Sequence, residues 1–242
     1  MSNPLIRMDD VSKRYGALTV TDHLSFELGP GEALGVLGPN GAGKSTMFNL
    51  ITGDVRPNSG RVFYDGQEIT NLSPHRRCHM GIGRSYQIPH PFAQMTVFEN
   101  LLVGGAFGKG RGEREAYDDC AEILERTGLL ARANSLAGSL SLLERKRLEL
   151  ARALSTQPKV LLLDEIAGGL TEAECEALVT LIREIHQGGV SIIWIEHVVQ
   201  ALLQVVERLI VIDFGRLLAE GAPDAVMADP KVREVYMGVG AE

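Results

Sequence analysis

Cysteine is scarce in this chain: only Cys78, Cys120 and Cys175 occur in 242 residues, widely spaced and with no CxxC pair. That excludes a disulfide framework and a zinc-binding pattern, and fits reduced thiols in a cytosolic protein. Long apolar runs are also missing. The longest, such as 160–163 and 191–195, fall far short of the ~20 residues that a membrane span requires. Met1-Ser2-Asn3-Pro4 lacks the charged and apolar regions of a signal peptide. Basic charge is in deficit, with 24 Lys and Arg against 31 Asp and Glu and a net charge of −7. This argues against a general nucleic-acid binder. Internal repeats and low-complexity tracts are absent as well. What remains is a chain that is 45% hydrophobic, enough for one large domain or a core with a small subdomain. If it works at a membrane, another chain supplies the spans.

The most informative segment is Gly38-Pro39-Asn40-Gly41-Ala42-Gly43-Lys44-Ser45-Thr46. It fits G-x-x-x-x-G-K-[ST] without a mismatch and stands between an apolar run at 33–37 and a helix-like run at 47–51. A phosphate chain is gripped by converging backbone N–H groups. Glycines let that backbone close without a Cβ in the way, and the following helix turns its positive end to the anion. Lys44 is expected at the β- and γ-phosphates and the Ser45 hydroxyl on Mg²⁺. A glycine-rich turn before an ordinary helix is the bland alternative, and both flanks speak against it.

Around this loop the patterning divides. Residues 5–28 alternate in two stretches, as antiparallel strands do. Gly29-Pro30-Gly31 reads as a turn, and 61–64 before Asp65-Gly66 as a short strand. The middle is helical: 96–105, a glycine-rich and flexible stretch at 104–112, then a charged amphipathic helix over 113–127 capped at Gly128. Beyond it, strands at 159–164, 190–195 and 209–213 alternate with helices at 171–187 and 198–206. Thr171 and Glu174 form a capping box at the start of the first of these helices. Residues 216–219 follow a Phe214-Gly215 turn. Strand–helix alternation of this kind implies a parallel sheet covered by helices.

Two further signals sit at strand ends, where open α/β sheets bind ligands. The run Val160-Leu161-Leu162-Leu163 ends in Asp164-Glu165. Asp164 is expected to bind Mg²⁺ and Glu165 to polarise an attacking water as general base. Trp194-Ile195-Glu196-His197 closes the next strand. There His197 suits donation to a γ-phosphate oxygen, although a lone histidine after a strand is more often structural.

The order of phosphate loop, glutamine, signature segment, Asp-Glu strand and histidine resembles ATP-binding-cassette ATPases over nearly the whole chain. The finer resemblance is to ATP-binding subunits of branched-chain amino acid importers. It is carried by Gly83-Arg84-Ser85-Tyr86-Gln87-Ile88-Pro89, Met95-Thr96-Val97-Phe98-Glu99-Asn100-Leu101-Leu102, Leu148-Glu149-Leu150-Ala151-Arg152-Ala153-Leu154 and Val235-Tyr236-Met237-Gly238. Related ATPases for lipopolysaccharide export, urea or other amides look similar. The resemblance implies an α/β P-loop NTPase with a RecA-like parallel-sheet core and N-terminal antiparallel strands. In that scheme 1–94 and 155–242 form the core, 95–154 an inserted helical subdomain, and 221–242 a family-specific tail. It further implies that Tyr15 stacks on adenine and that Gln87 joins the Mg²⁺ site to the helical subdomain. The implied cofactors are ATP and Mg²⁺. The implied partners are a second ATPase subunit or a second copy, membrane permeases, and indirectly a substrate-binding protein, with no nucleic acid. The implied location is peripheral, on the cytoplasmic face of the cell membrane.

The chain departs from the family where it would meet a partner. The signature Leu-Ser-Gly-Gly-Gln is here Leu140-Ser141-Leu142-Leu143-Glu144. Ser141 is retained for a partner's γ-phosphate. Glu144 either adds negative charge near that phosphate or serves as a first-turn acid of the next helix. Ile166 stands where proline is frequent, and Ala167-Gly168-Gly169-Leu170-Thr171 lacks the aspartate of the usual interface loop. The elements for the chain's own nucleotide are intact, so an asymmetric pair is expected, with the regular signature supplied by the partner. Competing classes find less support. A GTPase would carry Asn-Lys-x-Asp, a kinase an acceptor site, and a ribosome- or nucleic-acid-remodelling cassette a second cassette or a long coiled coil.

Overall fold

The computed structural model describes residues 3–108 and 112–237. In chain order the strands are β1 (Ile6–Tyr15), β2 (Leu18–Leu28), β3 (Ala33–Leu37), β4 (Ser59–Tyr64), β5 (Gln67–Glu68), β6 (Ile82–Arg84), β7 (Val160–Asp164), β8 (Ser191–Ile195), β9 (Arg208–Asp213) and β10 (Arg216–Gly221). The helices are α1 (Lys44–Thr52), α2 (Pro74–Met80), α3 (Val97–Gly108), α4 (Glu113–Arg126), α5 (Leu142–Ser155), α6 (Glu172–Gln187), α7 (Val199–Leu203), α8 (Pro223–Ala228) and α9 (Pro230–Met237). The chain divides into two compact units, one from residues 1–74 and 191–242, the other from 75–190.

The first unit holds an antiparallel sheet in the order β2-β1-β4-β5. Its alternating apolar residues meet in register, with Ile6 opposite both Leu28 and Tyr64. Beside it, β3 pairs in parallel with β8 on one edge and β9 on the other. Every residue of β3 and β8 is buried, which is why these strands are continuous apolar runs without alternation. The Phe214-Gly215 turn folds β10 back antiparallel onto β9. Both turn residues have positive φ, 44° and 78°, the signature of a tight hairpin. The expected helix at 198–206 is only the five-residue α7, with no side-chain cap at its start.

In the second unit β6 and β7 form a parallel pair, and α3, α4 and α5 pack on one another. The glycine-rich stretch expected to be flexible is helical as far as Gly108; residues 109–111 lie outside the described residues. Its glycines permit close helix packing. A Cβ on Gly104 would stand 2.2 Å from Ser155 Oγ, and one on Gly108 2.7 Å from Thr156 Cγ2. The capping box at Thr171 and Glu174 forms as the sequence indicates.

Candidate nucleotide site

The phosphate loop leaves β3 at Gly38 and enters α1 at Lys44. Gly41 and Gly43 adopt φ of 83° and 103°, a region open to glycine at little cost. At Gly43 a Cβ would lie 2.4 Å from the Val20 carbonyl oxygen, and at Gly38 one would lie 2.2 Å from that of Ile212. The loop is wrapped around buried Lys44, whose Nζ donates to the Gly38 carbonyl at 2.6 Å and the Pro39 carbonyl at 3.0 Å. Helix α1 starts without a side-chain cap and without an acidic residue in its first turn. An uncapped, positively polarised helix end behind a glycine cradle fits a polyphosphate. Ser45 is exposed at that end and Thr46 half-buried.

The parallel register brings His197 to the same edge. Val36 pairs with Ile195, so Gly38 and His197 each stand two residues beyond a paired position. His197 is exposed, and its backbone N–H donates to Glu196 Oε1 at 3.1 Å. Buried Glu196 also accepts from Trp194 Nε1 at 3.3 Å. Tyr15 ends β1 half-exposed, with Lys13 Nζ 5.1 Å from its ring centre.

The remaining expected site residues belong to the second unit. Asp164 ends β7 with its side chain 6% exposed, and Arg84 Nη2 donates to its Oδ2 at 2.8 Å. Glu165 follows with φ of 47°, a conformation that costs a non-glycine residue about 1–2 kcal/mol. Gln87 Nε2 donates to Glu165 Oε2 at 2.5 Å, which joins the glutamine segment to the end of β7. Within this unit the Gln87 amide and the Asp164 carboxylate offer hard oxygen donors. Magnesium sites take one or two such groups and complete the shell with water and phosphate oxygens, so the donor chemistry suits that ion.

Ser141 and Glu144 are organised by helix capping. Glu144 Oε2 accepts from the Ser141 N–H at 2.8 Å, and Ser141 Oγ accepts from the Glu144 N–H at 3.3 Å. Of the two roles open to Glu144 from sequence, the first-turn one is therefore what the fold displays. The hydrogen bond from Ser141 N–H, helped by Arg132 at 3.2 Å, holds the Glu144 carboxyl below its ordinary range. Leu142 is 45% exposed, and its Cδ2 comes within 3.4 Å of where a Gly169 Cβ would be. The absent side chain at Gly169 makes room for the leucine that replaces a signature glycine.

Three organising residues were not apparent from sequence. Arg84 gave no signal beyond its place in a motif. Buried Asn100 accepts from Phe92 N–H at 2.8 Å and donates to the Phe92 and Thr96 carbonyls. A polar residue three positions after Val97 on an apolar helix face could have revealed it. Arg152 donates to the His90 carbonyl at 2.9 Å and faces the Phe92 ring at 4.9 Å. It also pairs with Glu149, whose carboxyl is pushed up by burial against the opposing pull of Arg152. Together these residues pin the segment after Gln87 to α3 and α5.

Residues 21–168 match the ABC transporter family, and residues 216–242 match the branched-chain amino acid ATP-binding cassette transporter family. The high-affinity branched-chain amino acid transport ATP-binding protein LivG of Escherichia coli K12 is 36% identical, over 98% of this chain and 99% of its own length. BraF of Pseudomonas aeruginosa is 34% identical over the same shares, and the lipopolysaccharide export system ATP-binding protein LptB of Haemophilus influenzae 32% over 97% of each. A crystal structure of the ADP conformation of an ATP-binding cassette of an ABC transporter superposes with a TM-score of 0.89 and 31% identity, covering 98% of this chain and 100% of that one. The chain thus belongs to the ABC transporter ATP-binding cassettes, the ATPase subunits of transport systems, and within them to the relatives of the branched-chain amino acid ATP-binding proteins.

Proposed function

We propose that this ATPase subunit drives import of branched-chain or related amino acids. The observation that carries the ATPase reading is the phosphate loop already closed around Lys44. In this reading Lys44 and the backbone of 38–46 take the β- and γ-phosphates, and Tyr15 stacks on the adenine. Ser45, Gln87 and Asp164 hold Mg²⁺, which supplies neutralising charge to the phosphate oxygens when bound. Glu165 accepts a proton from the attacking water as the new oxygen–phosphorus bond forms. The bond to the β–γ bridging oxygen breaks, leaving ADP and phosphate. His197 holds a γ-phosphate oxygen and orients Glu165. Ser141, with Glu144 at the same helix start, faces a partner's nucleotide. The Leu142-Leu143 replacement supports a pair with a second, different ATPase subunit.

The substrate class follows from the match of the C-terminal segment and from the names of the relatives. The 216–242 match favours it over lipopolysaccharide export. No helix among the described residues is long and apolar enough to cross a membrane. In this reading membrane permeases provide the pathway, with this subunit peripheral on the cytoplasmic face and a substrate-binding protein acting through them. Exposed Tyr86, Ile88 and Phe92 suit permease contact next to Gln87. The test is Glu165→Gln. ATP binding is retained and hydrolysis falls by roughly 10²–10⁴, the contribution of a general base. Turnover close to that of the unaltered chain would sink the assignment.

A further inference from the structure

Strands β6 and β7 run parallel with Arg84 opposite Leu162. Side chains alternate along a strand, so Arg84, Leu162 and Asp164 share one face, and the step from residue 162 to 164 is roughly 6.6 Å. An extended arginine covers that distance. Arg84 reaches along β7 to give the 2.8 Å contact with Asp164, and both side chains are less than one-tenth exposed. Its guanidinium also lies 4.8 Å from the centre of the half-exposed Tyr86 ring. Three residues later Gln87 meets Glu165. One short segment thus grips both carboxylates at the end of β7, with a permanent cation on the first and an amide on the second.

We infer that Arg84 is a positioning residue for Asp164, setting the orientation of the carboxylate that serves the magnesium–ATP complex. The inference rests on the reading of Asp164 as a metal-holding group, and Arg84 acts only through it. A guanidinium is planar and its contacts are directed, so it fixes the plane of a carboxylate as well as balancing its charge. Removing one partner of a buried ion pair leaves the other charge uncompensated and destabilises the fold whatever else the pair does. The Mg²⁺ gain, read on folded protein, separates a positioning role from that stability cost.

The experiment measures binding of a fluorescent ATP analogue to the full-length chain, in Mg²⁺ and in EDTA. The ratio of the two affinities is the gain due to the metal. Arg84→Met is expected to keep the EDTA affinity within about twofold, because Lys44 and the glycine backbone take phosphate without a metal. It cuts the Mg²⁺ gain tenfold or more. Mn²⁺ in place of Mg²⁺ shows an altered electron paramagnetic resonance spectrum of the bound ion, and circular dichroism with thermal melting checks the fold. A Mg²⁺ gain that is unchanged or enlarged in folded Arg84→Met overturns the inference. If that variant does not fold, Arg84→Lys, which keeps the charge and loses the planar fork, is read the same way with a threefold loss as threshold. Asp164→Asn is measured alongside. An intact Mg²⁺ gain there refutes the metal reading itself, whereas an intact gain in Arg84→Met alone refutes only the role of Arg84.

Discussion

Two glycines of the phosphate loop, Gly41 and Gly43, differ in a way that alanine substitution exposes. Both have positive φ, 83° and 103°. A Cβ at Gly41 meets nothing within 4 Å, whereas one at Gly43 lies 2.4 Å from the carbonyl oxygen of Val20 in β2. Gly41→Ala carries the left-handed backbone cost of about 1–2 kcal/mol, partly offset by about 0.4–1 kcal/mol from a less flexible unfolded chain. The net loss is about 1 kcal/mol. Gly43→Ala adds a clash with backbone that cannot rotate away, and overpacking of this sort costs about 1–3 kcal/mol more. The total is about 3 kcal/mol. At about 2–4 °C per kcal/mol for a chain of this size, Tm falls by roughly 10 °C for Gly43→Ala and roughly 3 °C for Gly41→Ala. Thermal melting by differential scanning fluorimetry, without nucleotide, reads both. Equal shifts for the two variants would refute the reasoning, since only the Val20 contact separates them.

The cap of α6 provides a second test. Thr171→Ala removes the side chain that accepts from Glu174 N–H, and loses about 1 kcal/mol or roughly 3 °C in Tm; an unshifted melt counts against the cap. A third concerns His23, whose ring nitrogen lies 2.7 Å from Asp10 Oδ1 and whose pKa is raised above 6.5 chiefly by that hydrogen bond. A raised folded-state pKa contributes stability below the unfolded value and loses it as pH rises through the folded one. NMR titration of the His23 ring is expected to give a midpoint above 6.5, which Asp10→Asn lowers. A midpoint unmoved by Asp10→Asn refutes the pairing.

Much of the fold was legible because the signals are local. The glycine loop, the buried strands and the Thr171–Glu174 cap each declare themselves within a few residues. The misreadings arose where tertiary contact decides. Gly104, Gly105 and Gly108 suggested looseness, yet they lie in α3 where helices approach too closely for a Cβ. Helix α7 ends at Leu203, where the backbone N–H groups of Gln204 and Val205 turn to carbonyls three residues back and tighten the chain. Within the candidate site, Asp164, Glu165 and Gln87 were visible as strand-end or motif residues. The contact of Arg84 depends on the register of β6 against β7, a pairing between segments nearly eighty residues apart. Glu144 was ambiguous because one carboxylate can cap its own helix or face outward, and only the geometry at Ser141 distinguishes these.

The first unit is interrupted by residues 75–190, and this ordering has a consequence for synthesis. Strand β3 leads into the phosphate loop, but both strands that flank it come from beyond residue 190. A growing chain therefore exposes β3 with two open hydrogen-bonding edges until the last quarter emerges. Edges of that kind invite wrong pairing, and pairings between distant segments form slowly. The intervening segment is continuous and can begin to assemble earlier. Nucleotide-binding competence thus arrives late on the ribosome, and a chain arrested near residue 190 would present aggregation-prone strands rather than a weakened ATPase.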